Sequence, residues 1–304
     1  MCFLHLLLNA IKLRKIIPET PINHSNETPN AKIQLQGKKG IGYTLRAIGE
    51  QGSWVENLPK IIELRVSWNY SWGSNSILFQ PQFIEFLPMI WGFYGVEQAL
   101  QVEVQRVKEL QNPPLLLAFN EPDHEDQSNL SVEQALSVWH ILESSNFPLV
   151  SPSCANPLGE WMKEFMEESS KRNYRVDVVG VHDYGGTNPR AFQTTMKTIY
   201  ELYQKPILIT EFAPADWHAT TPEENCHSPH DVLEFMKVVL PWMESQSWII
   251  GYAWFPFSFD SPVGTCSALY GKNGKLTDCG KFYALFDPQG KKKTRKGIWT
   301  ALRD

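Results

Sequence analysis

No apolar run in this sequence approaches the ~20 residues that a membrane-spanning helix needs, so an integral membrane protein is excluded. Blocks of positive charge are also lacking, because 28 Lys and Arg residues stand against 33 Asp and Glu residues, a net charge of −5. Since phosphate backbones attract clustered basic residues, nucleic-acid binding is not expected. Low-complexity tracts are absent, and 42% of the 304 residues are hydrophobic against 20% charged. This composition is typical of a globular protein and excludes a disordered one.

Cysteine is scarce. The five cysteines form no CxxC pair and show no other metal-type spacing, so a zinc site and a dense disulfide scaffold are disfavoured. Cys266 and Cys279 lie in a glycine-rich region and could form a disulfide in an oxidising compartment. The equal alternative is that both are ordinary thiols. The distance between the two cysteines decides between a disulfide and two thiols.

Residues 1–36 are predicted to form an extension or linker outside the fold, and residues 37–304 one domain. Residues 4–11 are apolar like the core of a signal peptide, but the basic residues follow this stretch and no small-residue cleavage site comes after it. From residue 18 to residue 30 the composition turns to Pro, Asn, Thr and Glu, which is typical of a linker. The localisation of the protein therefore stays open.

Beyond the linker, eight short apolar or β-rich runs alternate with longer helical stretches. Ser131 followed by Gln134 makes a capping box, and Asn188-Pro189 and Ser228-Pro229 each begin a further helix. Eight strand–helix repeats over residues 37–304 fit a single α/β domain, a (β/α)8 TIM barrel of ~250 residues. A doubly wound open sheet is the alternative, although no glycine-rich phosphate loop follows the first run. The runs cover residues 40–45, 61–68, 83–91, 114–120, 148–153, 176–184, 206–211 and 249–254.

Two glutamates follow predicted strands directly. Glu121 comes after the fourth run in LLLAFNEPD, and Glu211 lies at the tip of the seventh run in PILITEFA. A barrel has its active site at the carboxyl ends of its strands, so the two side chains can face each other across the mouth. Opposed carboxyl groups suit glycoside hydrolysis, because one can donate a proton to the leaving oxygen while the other attacks or directs water.

Aromatic residues crowd the same ends of the predicted strands. Flat indole and phenol rings can stack on the C–H faces of sugars, so this crowding favours a carbohydrate cleft, although any one of these rings could instead pack in the core. The tryptophans that we predict to contact substrate are Trp68 and Trp72 after the second run, Trp91 after the third, Trp217 after the seventh and Trp254 at the eighth.

Several of these segments together resemble glycoside hydrolase family 128, whose members are TIM-barrel β-1,3-glucanases. The resemblance runs in order from about residue 38 to about residue 284 and is highly specific as a joint pattern. Its segments are WNYSWG (68–73), FLPMIWG (86–92), AFNEPDHEDQSNLSVEQA (118–135), VDVVGVHDYGG (176–186), ILITEFAPADW (207–217) and GYAWF (251–255).

The resemblance implies a role for five residues. Glu121 would be the acid/base and Glu211 the nucleophile of a retaining mechanism. Asn120 would contact the sugar 2-hydroxyl, Tyr184 would help to hold the nucleophile, and His182 would line the cleft. The family pattern also supports Trp254 as a sugar platform.

Two nearby features complete the prediction of the site. Where many family members have His-Trp-Tyr, this chain has Asp183 in the middle, and strand alternation is expected to turn its side chain away from the cleft. The acidic tract 123–126 is interpreted as a solvated loop and not as a metal site.

The sequence therefore predicts retaining, endo-acting hydrolysis of β-1,3-glucan, with the two carboxyl groups ~5–5.5 Å apart. No metal or organic cofactor is expected. We expect a β-glucan polysaccharide or oligosaccharide as the partner and a monomeric protein, for which secretion or a place in the cell envelope would suit the substrate. A non-catalytic glucan-binding protein and a related glycosidase acting on another β-linked polysaccharide are the alternatives.

Overall fold

All strand pairs in the described part of this protein are parallel. The computed structural model describes residues 33–43, 54–76, 80–110 and 113–287. Its strands are β1 (Lys39–Gly42), β2 (Trp68–Tyr70), β3 (Glu85–Phe86), β4 (Leu116–Leu117), β5 (Leu149–Val150), β6 (Val179–Asp183), β7 (Ile207–Phe212) and β8 (Ile249–Trp254). Six of them form one sheet in the order β3-β2-β1-β8-β7-β6, and β4 pairs with β5.

Isolated bridges join these two sheets into a ring. Met89, beyond β3, bridges to Leu117 of β4, and Val150 of β5 bridges to Val178, just before β6. Because β1 also pairs with β8, the ring is closed. The fold is a (β/α)8 barrel, as the sequence predicts, and the open-sheet alternative is wrong.

The helices begin where the sequence places their caps. The Ser131 hydroxyl accepts from the Gln134 N–H at 3.1 Å while the Gln134 side chain accepts from the Ser131 N–H at 2.8 Å. Asn188 and Ser228 cap the helices that start with the following prolines. None of the described helices is long and apolar enough to cross a membrane. The helices are α1 (Trp54–Glu63), α2 (Glu97–Lys108), α3 (Val132–Ser137), α4 (Trp139–Glu143), α5 (Glu160–Lys171), α6 (Pro189–Tyr203), α7 (Pro229–Ser245) and α8 (Asp278–Leu285).

The predicted second strand, 61–68, is wrong over most of its length. Residues 61–63 are the last turn of α1, and β2 begins only at Trp68. Ile61 and Leu64 are fully buried and three positions apart, which is the spacing of an apolar helix face and not of a strand. An apolar run without a break therefore hid the boundary between a helix and the strand after it.

The interior of the barrel is filled by large side chains. Trp68 is fully buried there, and its indole N–H donates to the Lys38 carbonyl at 2.9 Å. A Cβ at Gly40 of β1 would lie 2.1 Å from the Trp68 ring, so only glycine fits at that position. The prediction that Trp68 contacts substrate is therefore wrong, because its ring packs inside the barrel. It shares a buried cluster with Leu87, Met89, Leu117, Val150, Val178 and Leu208.

Two consecutive lysines hold helix ends at the amino-terminal end of the barrel. The Lys38 ammonium donates to the carbonyls of Met243, Glu244 and Gln246, at 3.0, 3.0 and 2.7 Å, where α7 ends. The Lys39 ammonium donates to the carbonyls of Tyr283 and Phe286, at 2.7 and 3.0 Å, where α8 ends. A cation at the carboxyl end of a helix is favourable because the helix dipole is negative there.

Two further predictions concern the amino-terminal extension and the pair of cysteines near the carboxyl end. Residues 1–32 lie outside the described residues, so the predicted extension stays a prediction there. Leu35 is buried against the barrel, and the Gln36 N–H donates to the Glu85 carboxylate at 2.8 Å. Cys266 and Cys279 are free thiols in the structure, which favours the second of the two alternatives for this pair.

Candidate active site

The two predicted glutamates lie at the carboxyl ends of their strands. Glu211 is part of β7 and pairs in register with His182 of β6. Glu121 follows a bridge between Asn120 and Ser153, and its N–H donates to the Ser153 carbonyl at 2.8 Å. The backbone of Glu121 has a φ of 41°, in the left-handed region that costs a non-glycine residue about 1–3 kcal/mol. The surrounding contacts must therefore hold Glu121 in this conformation.

The structure brings Glu121, Glu211 and His182 together. One oxygen of each carboxylate and a ring nitrogen of His182 all lie within 4.8 Å of one another. Carboxyl groups about 5–5.5 Å apart are typical of retaining glycosidases, whereas inverting enzymes leave about 6.5–9.5 Å. The observed approach of the two carboxylates therefore fits the retaining arrangement.

His182 lies between the two glutamates. Its Nδ1 is 2.7 Å from Oε1 of Glu121 and 3.4 Å from Oε2 of Glu211, and its side chain is fully buried. Burial alone would lower the pKa of His182. The charge of Glu211, the hydrogen bond with Glu121 and the charges of Glu121 and Asp123 outweigh that effect, so the pKa is raised above its usual 6.5. Nδ1 donates to Glu121 both in the imidazolium and in the neutral tautomer that carries its proton on Nδ1.

Three donors surround Glu211. The Trp72 indole N–H donates to Oε1 at 2.7 Å, the Tyr70 hydroxyl donates to Oε1 at 3.1 Å, and the Tyr184 hydroxyl donates to Oε2. Burial raises the pKa of both tyrosines well above 10, and the charge of Glu211 raises it further. Both hydroxyls therefore keep their protons and remain hydrogen-bond donors to the Glu211 carboxylate.

Asn120 lies beside the acid/base candidate. Its side-chain amide donates through Nδ2 to Oε1 of Gln127 at 3.2 Å, and the residue is 4% exposed. Within the described residues, Oδ1 of Asn120 and Nε2 of His182 have no hydrogen-bond partner. Unpartnered buried polar atoms are rare in native proteins, and they are found where a site is built to act on a ligand. Oδ1 of Asn120 is therefore a candidate for a contact with substrate, whereas the side chain of His182 has no exposed surface.

The predicted aromatic residues divide into exposed and buried ones. Trp217 is 62% exposed and packs edge to face on Tyr184 at 5.5 Å. Trp91 is half-buried and stacks on the exposed Tyr94 at 6.3 Å between ring centroids. Trp254 has no exposed surface, and its indole N–H donates to the Ser267 carbonyl at 2.9 Å. The predicted sugar platform at Trp254 is therefore wrong, because that ring packs in the core.

Sequence reasoning missed two residues that the structure brings into the site. In the sequence, Tyr70 stands out only as part of the segment WNYSWG, although its hydroxyl bonds to Glu211. Its position two residues after Trp68 in a strand places both on one face, a signal that could have identified it. The acidic tract is interpreted as a solvated loop, yet the Asp123 carboxylate accepts two backbone N–H groups, of Ala155 and Asn156.

The side chain of Asp183, the residue that departs from the family pattern, bonds locally. It accepts from the Gly185 N–H at 3.1 Å. Burial raises the pKa of this carboxyl group, and the bond from Gly185 opposes that effect. The side chain thus supports the turn after β6.

The candidate set for a metal ion coincides with the glutamate pair. Among the described residues, Glu121, His182 and Glu211 form the one group of three potential ligands that converge. The acidic tract 123–126 does not form such a group. A cation bound to this trio would occupy the carboxylate oxygens that acid/base chemistry needs.

Comparisons with known proteins find a matching family and similar solved structures. No curated protein is similar to the chain at a significant level. Among solved structures, the chain is similar to a family 128 subgroup I endo-β-1,3-glucanase from Amycolatopsis mediterranei, solved with laminaritriose. The two share 29% identity and a TM-score of 0.67, over 81% of this chain and 98% of the other.

Two further solved structures share the fold. They are a subgroup II endo-β-1,3-glucanase from Sorangium cellulosum and a subgroup VI exo-β-1,3-glucanase from Aureobasidium namibiae. The first is 24% identical, with a TM-score of 0.65 over 83% of this chain and 99% of the other. The second is 23% identical, with a TM-score of 0.65 over 83% of this chain and 97% of the other.

The sequence resemblance to glycoside hydrolase family 128 is confirmed by these structures. The family model described as the glycosyl hydrolase catalytic core matches residues 42–283, which is more than half of the chain. This range contains both glutamates and every strand that surrounds them except the first residues of β1. The chain belongs to the glycosyl hydrolase catalytic core family.

Proposed function

We propose that this protein hydrolyses β-1,3-glucan with retention of the anomeric configuration. The observation that carries the proposal is the approach of Glu121 and Glu211 to within 4.8 Å at the carboxyl ends of the barrel strands. Glu211 is the nucleophile, because three hydrogen bonds to its carboxylate hold both of its oxygens in a fixed orientation. Glu121 is the acid/base, because its more exposed side chain, 13% against 5% for Glu211, is open to the departing oxygen and to the water that the second step needs.

The reaction proceeds in two displacements. In the first, an oxygen of Glu211 bonds to the anomeric carbon while Glu121 gives its proton to the departing glycosidic oxygen. In the second, Glu121 removes a proton from water, the water oxygen bonds to the anomeric carbon, and the bond to Glu211 breaks. Both glutamates then have their original protonation states, so each step is assigned to these two side chains without a cofactor.

The atoms around the glutamates support this division of roles. Oδ1 of Asn120 has no protein partner in the described residues, which suits an acceptor for a sugar hydroxyl beside Glu121. The Tyr70 and Tyr184 hydroxyls and the Trp72 indole N–H fix both oxygens of Glu211. A nucleophile held in this way needs little reorganisation to reach the transition state.

The substrate class is inferred from the similar protein and the exposed aromatics. The Amycolatopsis mediterranei protein is an endo-β-1,3-glucanase that was solved with laminaritriose. A variant of it with one glutamate replaced by glutamine was solved with laminarihexaose. Trp91 and Trp217 have accessible ring surface on which glucose residues can stack. We therefore infer an endo-acting enzyme on β-1,3-glucan.

The test is a product analysis with purified protein on laminarin and curdlan, with mannan, xylan and carboxymethyl cellulose as the comparison panel. We expect a ladder of laminari-oligosaccharides from the β-1,3-glucans, and proton NMR of early products should show the β-anomer first. Glu121→Gln should remove this activity, while Glu125→Gln, an exposed neighbour in the same loop, should keep it.

Each alternative has its own outcome in that experiment. Binding to laminarin without new reducing ends would indicate a non-catalytic glucan-binding protein. Cleavage of mannan, xylan or β-1,4-glucan alone would indicate another glycosidase specificity. An α-anomer as the first product would contradict retention, and a single released sugar size would contradict endo action.

A further inference from the structure

Asp123 links two loops at the catalytic end of the barrel. Its Oδ1 accepts from the Ala155 N–H at 2.8 Å and its Oδ2 accepts from the Asn156 N–H at 2.9 Å. Asp123 belongs to the loop after β4, whereas the two N–H groups belong to the loop after β5. Both oxygens of one carboxylate therefore fix one loop to the next. We call this arrangement the Asp123 clamp.

The clamp lies directly beside the contacts that place the Glu121 side chain. Cys154, the residue before the first clamped N–H group, bridges to Val181 of β6. The residue after Val181 is His182, whose Nδ1 is 2.7 Å from the Glu121 carboxylate. Asp123 is thus connected to Glu121 in space, through the loop after β5 and then through β6.

The backbone of Glu121 needs such support. Its φ of 41° is unfavourable for a residue with a Cβ. The contacts from Ser128 to Asn120 and from Leu130 to Pro122 stay within one loop, so they do not fix that loop relative to the barrel. The Glu121 N–H bond to Ser153 and the Asp123 clamp both reach the neighbouring loop.

We propose that Asp123 is a positioning residue for proton transfer by Glu121. The inference rests on the proposed function, in which Glu121 is the acid/base. Asp123 acts through the backbone: it holds the β4 loop against the β5 loop, so that the Glu121 carboxyl group stays in reach of the glycosidic oxygen. Without the clamp, the left-handed turn at Glu121 relaxes and the carboxyl group moves away from the leaving group.

The variant Asp123→Asn tests this inference, with Asp126→Asn as the matched control. An asparagine at 123 has one amide N–H facing a backbone N–H, so it cannot accept both clamp bonds. Asp126 is exposed in the same loop and loses the same charge without touching the clamp. For Asp123→Asn we expect kcat on laminarin to fall about 10- to 100-fold, the effect of a small misplacement of a catalytic group, with KM little changed.

A second substrate separates positioning from a general loss of structure. Dinitrophenolate leaves without a proton, so kcat/KM on 2,4-dinitrophenyl β-laminaribioside does not depend on the acid. We expect Asp123→Asn to keep this kcat/KM close to that of the wild type while it loses laminarin cleavage. Asp126→Asn should resemble the wild type on both substrates.

The outcomes are distinct. Equal losses on both substrates, or equal effects of the two variants, would overturn the inference. If Asp123→Asn does not fold, Asp123→Glu keeps the charge and shifts the two acceptor oxygens by one methylene. It should show the same selective loss to a smaller degree, and full laminarin activity there would overturn the inference. A wild-type protein that cleaves neither substrate would instead overturn the proposed function, and this inference with it.

Discussion

The two ends of the barrel both hold charged side chains out of water, but they satisfy these charges differently. At the amino-terminal end, the ammonium groups of Lys38 and Lys39 contact backbone carbonyls at the ends of two helices. At the carboxyl end, Glu121 and Glu211 share the imidazole of His182. The first arrangement combines positive side chains with negative helix ends, whereas the second places two potential negative charges together.

The two ends of the barrel also differ in the buried polar atoms that have no hydrogen-bond partner. Nε2 of His182 and Oδ1 of Asn120, both at the carboxyl end, lack partners among the described residues. A buried polar atom without a partner lowers stability by about 1–3 kcal/mol. The protein thus keeps hydrogen-bonding capacity at the end where substrate would arrive, and it uses the charges at the other end for stability.

The largest effect should follow from Glu211→Gln. This change removes the attacking oxygen, so activity on laminarin should fall on the order of 10³-fold or more. Stability should change little, because a buried carboxylate is replaced by a neutral amide and the Tyr184 hydroxyl can rotate to accept from the new N–H2 group. Activity assays combined with urea unfolding would measure both. A large loss of stability would show that the carboxyl end also maintains the fold and would remove the contrast between the two ends.

The opposite pattern is expected for Lys39→Met. Lys39 is only 5% exposed, and without its ammonium group the carbonyls of Tyr283 and Phe286 lose a donor. The free energy of unfolding should fall by about 2–4 kcal/mol, as for other buried charged hydrogen bonds. Urea unfolding measures this loss, and the kcat on laminarin should stay close to the wild-type value.

A control for that prediction is Lys237→Met, which removes an exposed lysine that pairs with Glu234. Its effect on unfolding should stay below about 1 kcal/mol, the usual range for surface pairs. Equal losses of stability in the two variants would contradict the special role of Lys39.

The smallest effect concerns the pH dependence of stability. The pKa of His182 is raised in the folded protein, so its protonation stabilises the fold fully below pH 6.5. This contribution is lost as the pH rises through the raised pKa, and each pKa unit corresponds to about 1.4 kcal/mol. The difference in unfolding free energy between wild type and His182→Gln should therefore shrink as the pH rises above 6.5 and through the raised pKa of His182, since glutamine does not titrate.

Parallel curves for the wild type and His182→Gln would mean that the imidazole between the glutamates does not gain a proton on folding.

Local patterns are enough to predict most of the fold. Caps such as Ser131 with Gln134 act over a few residues, and the buried strands have continuous apolar sequences, so both are visible in the chain itself. The boundary between α1 and β2 is not visible in this way, because the apolar residues of a helix and of a strand follow each other without a break.

The site is predictable in part for the same reason. Glu121 and Glu211 each follow a strand, and the barrel topology alone brings strand ends together. How deeply each tryptophan side chain is buried cannot be predicted from the local sequence, because contacts with residues far away in the sequence determine it. Gly40 makes room for Trp68 inside the barrel, and the Ser267 carbonyl accepts from the Trp254 indole. The contact between Tyr70 and Glu211 spans 141 positions, so no local pattern contains it.

The indole of Trp68 fills the interior of the barrel so closely that it leaves no room for a Cβ at Gly40. It packs there with Leu87, Met89 and Leu208, and the inside of a barrel of this kind is a filled core and not a pore. A polysaccharide consequently cannot be threaded through the molecule. It has to lie across the mouth, and both fragments of a cut chain leave on the side from which the uncut chain came.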